Sequence, residues 1–541
     1  MKKAEISSYL SPEIIEEGNC QVLIDVGTSS TKIYLKCDGE MFGDKDDWVY
    51  VKKEVIDIGG RLVRVIQPEN LKKYVETVTQ FPASRYIITS LLHSLVVVVD
   101  SDEGEMAVAL MCDPSLEPDW REDKISELMA SRNEFAEFVQ TKSRSWFHKL
   151  VALLQNYPAV AQELGLPDDP STISLISTIP GYIVLKLRDD HEGFIPGNEP
   201  KIDGLSLDLI QELLVKYGFP INSIVQLLDS LVIEGDDNKP EVVTYGDAAV
   251  EMMAIQRILE NSRDCAVAIS TDSVYKAIVF SNESVGGLKS SVNGINYSTA
   301  RTGFGNLCGV TLLPLLENQE NFLGLRTGLN IYELVDEFIQ RSFDDELLNN
   351  FYPRYHFFAC ESGDYLCLDS SGKAIDYKVE AEILIENNQV EQYKNLVLSV
   401  ILGAAFSLRH KSDYVYHQAY RDEKWQGKPA DKVIYYGGFL QHSDRGDGKI
   451  GGGLTRLIIG SHDSQTQVMM TPLYTATEAA LIVEDGGQGE LLERYKPITI
   501  ERATGVFSTQ YQNWLKEVKR NVELETLSYT TSGGIQLAKH K

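Results

Sequence analysis

The sequence predicts an α/β protein of two large domains, each opened by a strand, a polar turn and a second strand. Three observations carry that expectation. At 541 residues the chain is too long for one ordinary hydrophobic core. Short apolar runs of strand character are interleaved with longer stretches of helical period. The pattern Asp25-Val-Gly-Thr-Ser-Ser-Thr-Lys of the first half is echoed by Ser270-Thr-Asp-Ser-Val-Tyr-Lys in the second. The domains are placed at 1–262 and 263–541, with the boundary after a helical candidate over 247–261. Two such hairpins facing each other across a cleft would grip one polyphosphate from both sides.

The first hairpin is residues 22–35, Val-Leu-Ile-Asp-Val-Gly-Thr-Ser-Ser-Thr-Lys-Ile-Tyr-Leu. Gly27 lets the backbone approach an anion closely, and Thr28, Ser29, Ser30 and Thr31 offer hydroxyl and N–H donors. Lys32 adds a positive charge, and Asp25 is suited to hold a hydrated Mg²⁺. An ordinary β-hairpin with a small polar turn accounts for the same residues without any ligand. The segment is not a Walker loop: G-x-x-x-x-G-K-[ST] is absent, and the turn runs strand to strand.

Further along, residues 50–55 and 62–66 alternate as strands, 70–80 reads as a helix and 85–89 as a strand. Residues 87–100 read as two successive strands broken by a polar-containing turn at His93, and 102–105 is an acidic turn before 106–111. Residues 117–165 are mostly helical, with Trp120, Trp146, Phe147, Leu150, Leu153 and Leu154 on inner faces. A helix over 205–217 stops before Gly218. A second strand, polar turn and strand follows at 265–270 and 276–280, and 446–453 is a glycine-rich loop.

Composition narrows the function. Hydrophobic content of 43% with 24% charged residues is that of a globular chain. Lys and Arg total 51 against 79 Asp and Glu, a net charge of −28, which argues against nucleic acid or an anionic membrane and favours a small soluble substrate. The most apolar run, 95–99, is far too short to span a bilayer and reads as a buried strand. Seven cysteines (20, 37, 112, 265, 308, 360, 367) are scattered without a C-x-x-C pair, and Met-Lys-Lys-Ala-Glu-Ile carries no apolar signal core. A reducing cytoplasm is the expected home, and a homodimer is compatible with the chain.

Four further segments follow the first hairpin in order. They are Thr89-Ser-Leu-Leu-His-Ser-Leu-Val-Val-Val-Val-Asp100, Lys149-Leu-Val-Ala-Leu-Leu, Thr244-Tyr-Gly-Asp-Ala-Ala-Val and Val433-Ile-Tyr-Tyr-Gly-Gly-Phe-Leu440, with a long core helix around 396–408 before the last. In this order, over roughly residues 20–520, the chain resembles the FGGY carbohydrate kinases, most closely the xylulokinase-like pentulose kinases. The resemblance implies two ribonuclease-H-like domains of the actin/hexokinase superfamily flanking an interdomain cleft. It also implies ATP and Mg²⁺ as cofactors and a ketopentose or related polyol, best D-xylulose, as substrate.

Residue by residue, the resemblance makes Asp247 the catalytic base and part of the sugar site, with His93 and Asp113 reading sugar hydroxyls. Asp25 becomes the metal ligand. Gly27, Thr28, Ser29, Lys32, Ser270, Thr271 and Ser273 become phosphate contacts, and Gly437 and Gly438 the adenosine loop. Without the resemblance, Asp247 reads equally as the N-cap of a structural helix and His93 as a satisfied core histidine. Several positions depart from the family pattern. Ile269-Ser-Thr-Asp-Ser-Val274 lacks glycines and carries Asp272, Phe439 and Leu440 replace small residues, and the tryptophan and arginine usual around Asp113 are missing. A non-catalytic relative that binds sugar or nucleotide therefore stays open. So does a pantothenate kinase-like enzyme, suggested by 433–440 and 302–307 but lacking that family's glycine-rich segment between 85 and 110.

Overall fold

The computed structural model describes residues 20–26, 31–37, 40–42, 54–58, 61–81, 83–90, 94–101, 104–110, 118–131, 146–189, 194–195, 206–224, 226–227, 232–236, 239–259, 264–268, 276–280, 289–292, 295–301, 312–316, 319–329, 331–342, 353–359, 365–419, 430–437, 440, 453–462, 465–486, 490–500, 507–523, 528–529 and 535–536. The chain separates into two compact units, Met1–Met252 and Met253–Lys541.

In the first unit β1 (Gln21–Val26) and β2 (Thr31–Cys37) pair antiparallel, and β3 (Glu40–Phe42) continues on β2. β4 (Glu54–Ile58) and β5 (Arg61–Ile66) form a second hairpin. α1 (Pro68–Thr79) starts on a proline, whose fixed φ and missing N–H suit the first helical position. Then come β6 (Arg85–Ser90), β7 (Leu95–Ser101), β8 (Gly104–Leu110), α2 (Asp123–Ser131) and α3 (Trp146–Leu164). β9 (Ile173–Ser177), α4 (Ile179–Arg188), β10 (Phe194–Ile195), α5 (Leu207–Lys216), β11 (Gln226–Leu227) and β12 (Val232–Ile233) follow. β13 (Glu241–Gly246) runs directly into α6 (Asp247–Ile258), and the division between the units falls within that helix.

The two strands expected over 87–100 belong to different sheets. β6 lies in the six-stranded order β12-β13-β6-β1-β2-β3, and β7 in the five-stranded order β4-β5-β8-β7-β9. Leu95, Val97 and Val99 of β7 pack into a core with α3 and α5, whereas Val96 and Val98 join a core with α1, α4 and the six-stranded sheet. Both faces of β7 are covered, which is why its sequence is an unbroken apolar run rather than an alternating one.

The cysteines depart from the expectation of unpaired thiols. Cys20 precedes β1 and Cys37 ends β2, opposite one another by the register Gln21 to Lys36, and they form a disulfide across 17 residues. Such a separation is set by hairpin length and matches no spacing motif.

The second unit contains β14 (Cys265–Ala268), β15 (Lys276–Phe280), β16 (Lys289–Val292), β17 (Ile295–Arg301) and α7 (Ile331–Ser342). β18 (Tyr355–Ala359), β19 (Tyr365–Asp369) and β20 (Ala374–Ile375) make a separate sheet. α8 (Tyr377–Glu386) and the 30-residue α9 (Val390–Ala419), which contains the expected 396–408 helix, lead to β21 (Lys432–Tyr436). α10 (Gly453–Gly460), β22 (Gln467–Met470), α11 (Ala476–Glu484), β23 (Ile498–Thr499) and α12 (Ser508–Glu523) follow. Its large sheet has the order β16-β17-β15-β14-β21-β22-β23.

The repeat between the halves is clearer in topology than in sequence. Strands β3-β2-β1-β6-β13 of the first unit and β17-β15-β14-β21-β22 of the second have the same order. In each, only the second hairpin strand, β2 or β15, runs against the other four. Among the described residues no helix is long and apolar enough to cross a membrane.

Two packing constraints lead to tests. At Gly403 of α9 an added Cβ would overlap the Phe357 carbonyl oxygen of β18 and lie 2.8 Å from Phe357 Cβ, and that same carbonyl accepts the Trp514 indole N–H at 3.0 Å. Backbone cannot swing aside as a side-chain tip can, so Gly403→Ala is expected to cost about 2 kcal/mol or more, read as a lower urea midpoint at unchanged slope. The second constraint is His148 of α3, 7% exposed and edge-on to the Trp120 ring at 5.2 Å. Burial, helped by the neighbouring Lys149 charge, pushes its imidazole from 6.5 down to about 4. Between those values the unfolded chain binds the proton that the folded one refuses, so this site's contribution to stability is lost as pH falls through that window. Urea midpoints from pH 7 to 4 should show a slope that His148→Gln flattens.

Candidate active site

The six-stranded sheet sets the site through backbone register. In the parallel strands β1, β6 and β13, Asp25, Thr89 and Tyr245 stand side by side, and so do Val26, Ser90 and Gly246 at the next position. The three carboxyl-terminal ends are therefore level. Asp247 is the residue after Gly246 and opens α6. Asp25 and Asp247 thus sit at one edge of one sheet, on strands about 10 Å apart with β6 between them, Asp247 lying two residues beyond the level of Asp25. Ligands of open α/β sheets bind at such carboxyl-terminal edges. Asp247 is partly exposed, at a helix N-terminus whose dipole favours an ionised carboxylate.

Asp25 is 6% exposed and held from two sides. On one strand the Lys32 ammonium lies 3.3 Å from Oδ2, the two residues being direct cross-strand partners. On the other, the buried Thr89 hydroxyl stands 3.4 Å from Oδ1 and 3.5 Å from the Ile24 carbonyl. Just beyond, Thr31 at the start of β2 shares a 2.8 Å hydrogen bond with the Tyr74 hydroxyl of α1. Burial, with the Asp25 charge adding to it, raises the Tyr74 phenol above its ordinary range, and the Thr31 hydrogen bond offsets part of that rise. Tyr74 is therefore a neutral phenol that ties the hairpin to α1.

In the second unit Ala268 of β14 stands beside Tyr436 of β21, and Gly437 follows at once. Gly437 has φ +111°, a conformation that favours glycine, and donates its N–H to the Leu473 carbonyl at 2.8 Å. The strands that precede the positions expected for phosphate and adenosine contacts are thus adjacent and parallel. Ser270, Thr271, Ser273 and Gly438 themselves lie outside the described residues, as do Gly27, Thr28, Ser29, His93, Asp113 and 446–452. His93 comes three positions after Ser90 of β6, and Asp113 three after Leu110 of β8 in the five-stranded sheet.

No family model and no curated protein matches the sequence. Solved structures do. The xylulose kinase of Rhodospirillum rubrum matches 93% of this chain over 98% of its own length, with a TM-score of 0.52 at 13% identity. The fold is that of carbohydrate kinases. A carbohydrate kinase from Novosphingobium aromaticivorans gives the same 0.52 and 13% over 93% of this chain and 99% of its own. At 93% of the chain, each alignment includes residues of both compact units.

Sequence reading missed Thr89 and Tyr74. Thr89 carries a signal only in retrospect, as a small aliphatic hydroxyl that follows the buried run Tyr86, Ile87 and Ile88 of β6. Tyr74 looks like any core aromatic of an amphipathic helix. Their structural share is measurable. Tyr74→Phe leaves the Thr31 hydroxyl buried without its partner and is expected to cost about 1–2 kcal/mol in urea unfolding. Adding Thr31→Val should cost little more, because the orphaned group is then gone.

Proposed function

We propose that the protein transfers the terminal phosphoryl group of ATP to a hydroxyl of a ketopentose or related polyol, D-xylulose fitting best among the sugars considered. The observation that carries this reading is the common sheet edge shared by Asp25 and Asp247. Asp247 acts as the base: it takes the proton of the attacking hydroxyl as the sugar oxygen bonds to phosphorus and the bond to the β-phosphate oxygen breaks. Its helix-terminal position keeps the carboxylate ready to accept that proton. His93 and Asp113 hold the sugar hydroxyls, and Lys32, with the turn hydroxyls of Thr28 and Ser29, meets the phosphates.

Among the described residues no group of three His, Cys, Asp or Glu is placed to hold a metal. Mg²⁺ keeps most of its waters and needs only one or two carboxylates beside the substrate phosphates. Asp25, a hard oxygen donor with Thr89 behind it, fits that role. Bound there, the ion would neutralise charge on the transferring group. In this reading each unit is a ribonuclease-H-like domain, and water is excluded from the phosphoryl group when the substrates are bound. The strongly negative charge agrees with a small-molecule enzyme free of nucleic acid and membrane partners.

The test is ATP turnover against a panel of ketoses and polyols. Ketose-dependent ADP formation should fall by about 10²–10⁴-fold in Asp247→Asn while circular dichroism and urea midpoint stay near wild type. Sugar binding without turnover in the wild-type protein would instead favour the non-catalytic relative.

A further inference from the structure

The ion pair between Asp25 and Lys32 joins the two groups that the proposed function assigns to different ligands, the metal ion and the phosphates. We propose that Lys32 is the internal counter-cation of Asp25, and that it yields the carboxylate to a divalent cation when a polyphosphate takes its ammonium, so that metal and nucleotide bind cooperatively. The inference rests on the assignment of Asp25 as the metal ligand.

Geometry supports the exchange. Lys32 Nζ lies 3.3 Å from Asp25 Oδ2, with the side chains 22% and 9% exposed, so the pair is shielded from solvent more than an ordinary surface pair. Thr89 occupies Oδ1 at 3.4 Å, so a cation approaching this carboxylate meets an ammonium on its remaining side. Two cations on one carboxylate repel each other, which drives the ammonium to turn away. Its four-carbon stem lets it do so while the backbone stays in place. The register of β1 and β2 holds the two residues opposite each other, and the Cys20–Cys37 bond closes the far end of that hairpin, so the change is a side-chain rotation and not a strand slip. Once turned, the ammonium needs an anion, and the polyphosphate on the same turn supplies one. Thermodynamic linkage then requires each ligand to strengthen the other equally.

The test uses Mn²⁺ as the probe, its binding followed by electron paramagnetic resonance without nucleotide. A chain of net charge −28 also gathers cations elsewhere, so the Asp25-dependent part is taken as the difference from Asp25→Asn in each background. Lys32→Met should bind Mn²⁺ at that site about five-fold or more tightly than wild type, the lower end of usual coupling factors. In parallel, the factor by which Mn²⁺ strengthens binding of a non-hydrolysable ATP analogue should shrink in Lys32→Met. Lys32→Gln repeats both measurements if the methionine variant folds poorly by circular dichroism. Mn²⁺ binding that depends on Asp25 but is no tighter in the Lys32 variants overturns the counter-cation inference and leaves the proposed function standing. Binding unaffected by Asp25→Asn removes the metal assignment, and the inference with it.

Discussion

Everything proposed for this chain depends on the parallel register of three strands. Backbone hydrogen bonding aligns Asp25 with Thr89 and Tyr245, and the next position aligns Val26, Ser90 and Gly246. Register is strongly specified wherever a sheet face packs on a core, because a slip of one residue exchanges the side chains of the two faces. The apolar residues Val22, Ile24, Ile88 and Val242 lock that alignment from within the core. Two carboxylates more than two hundred positions apart in the chain then reach one edge as a by-product of core packing. The chemistry inherits its spacing from the hydrophobic layer beneath it.

The same economy appears in the second unit. The strand order and directions around β14 repeat those around β1, and the long helix α9 is packed so closely on β18 that only a glycine fits at position 403. Neither half needs a dedicated scaffold for its turn. In both, the hairpin lies inside the sheet, with a parallel strand beside it whose end comes level with the end of the hairpin's first strand.

What the sequence made legible was local. The hairpin could be read because small polar turn residues between apolar strands are a short-range signal, and α6 because Gly246 and Asp247 announce a turn into a helix. What stayed hidden was long-range. Nothing near Asp25 says that β6, some sixty residues later, is its neighbour, or that β13 lies one strand further on. Thr89 therefore reads as an incidental hydroxyl, and nothing in two successive strands tells that β6 and β7 belong to different sheets. The pairing of Cys20 with Cys37 was equally invisible, since it follows from the register of a hairpin and from no pattern of cysteines. The kinase fold itself emerges from the order of elements, while sequence identity to the matching structures is only 13%.

The covalent bridge at the base of the first hairpin has a consequence for how that hairpin comes apart. Unzipping of a two-stranded ribbon ordinarily begins at its free ends, where the last pairs are held by the fewest neighbours. Here the end away from the turn is sewn shut, β6 pairs along the whole of β1, and β3 pairs with Leu35, Lys36 and Cys37 of β2. The amides of β1 can then meet solvent only when a larger part of the sheet opens. The fraying that softens most strand ends is denied to the one ribbon on which an acidic and a basic group must stay in step.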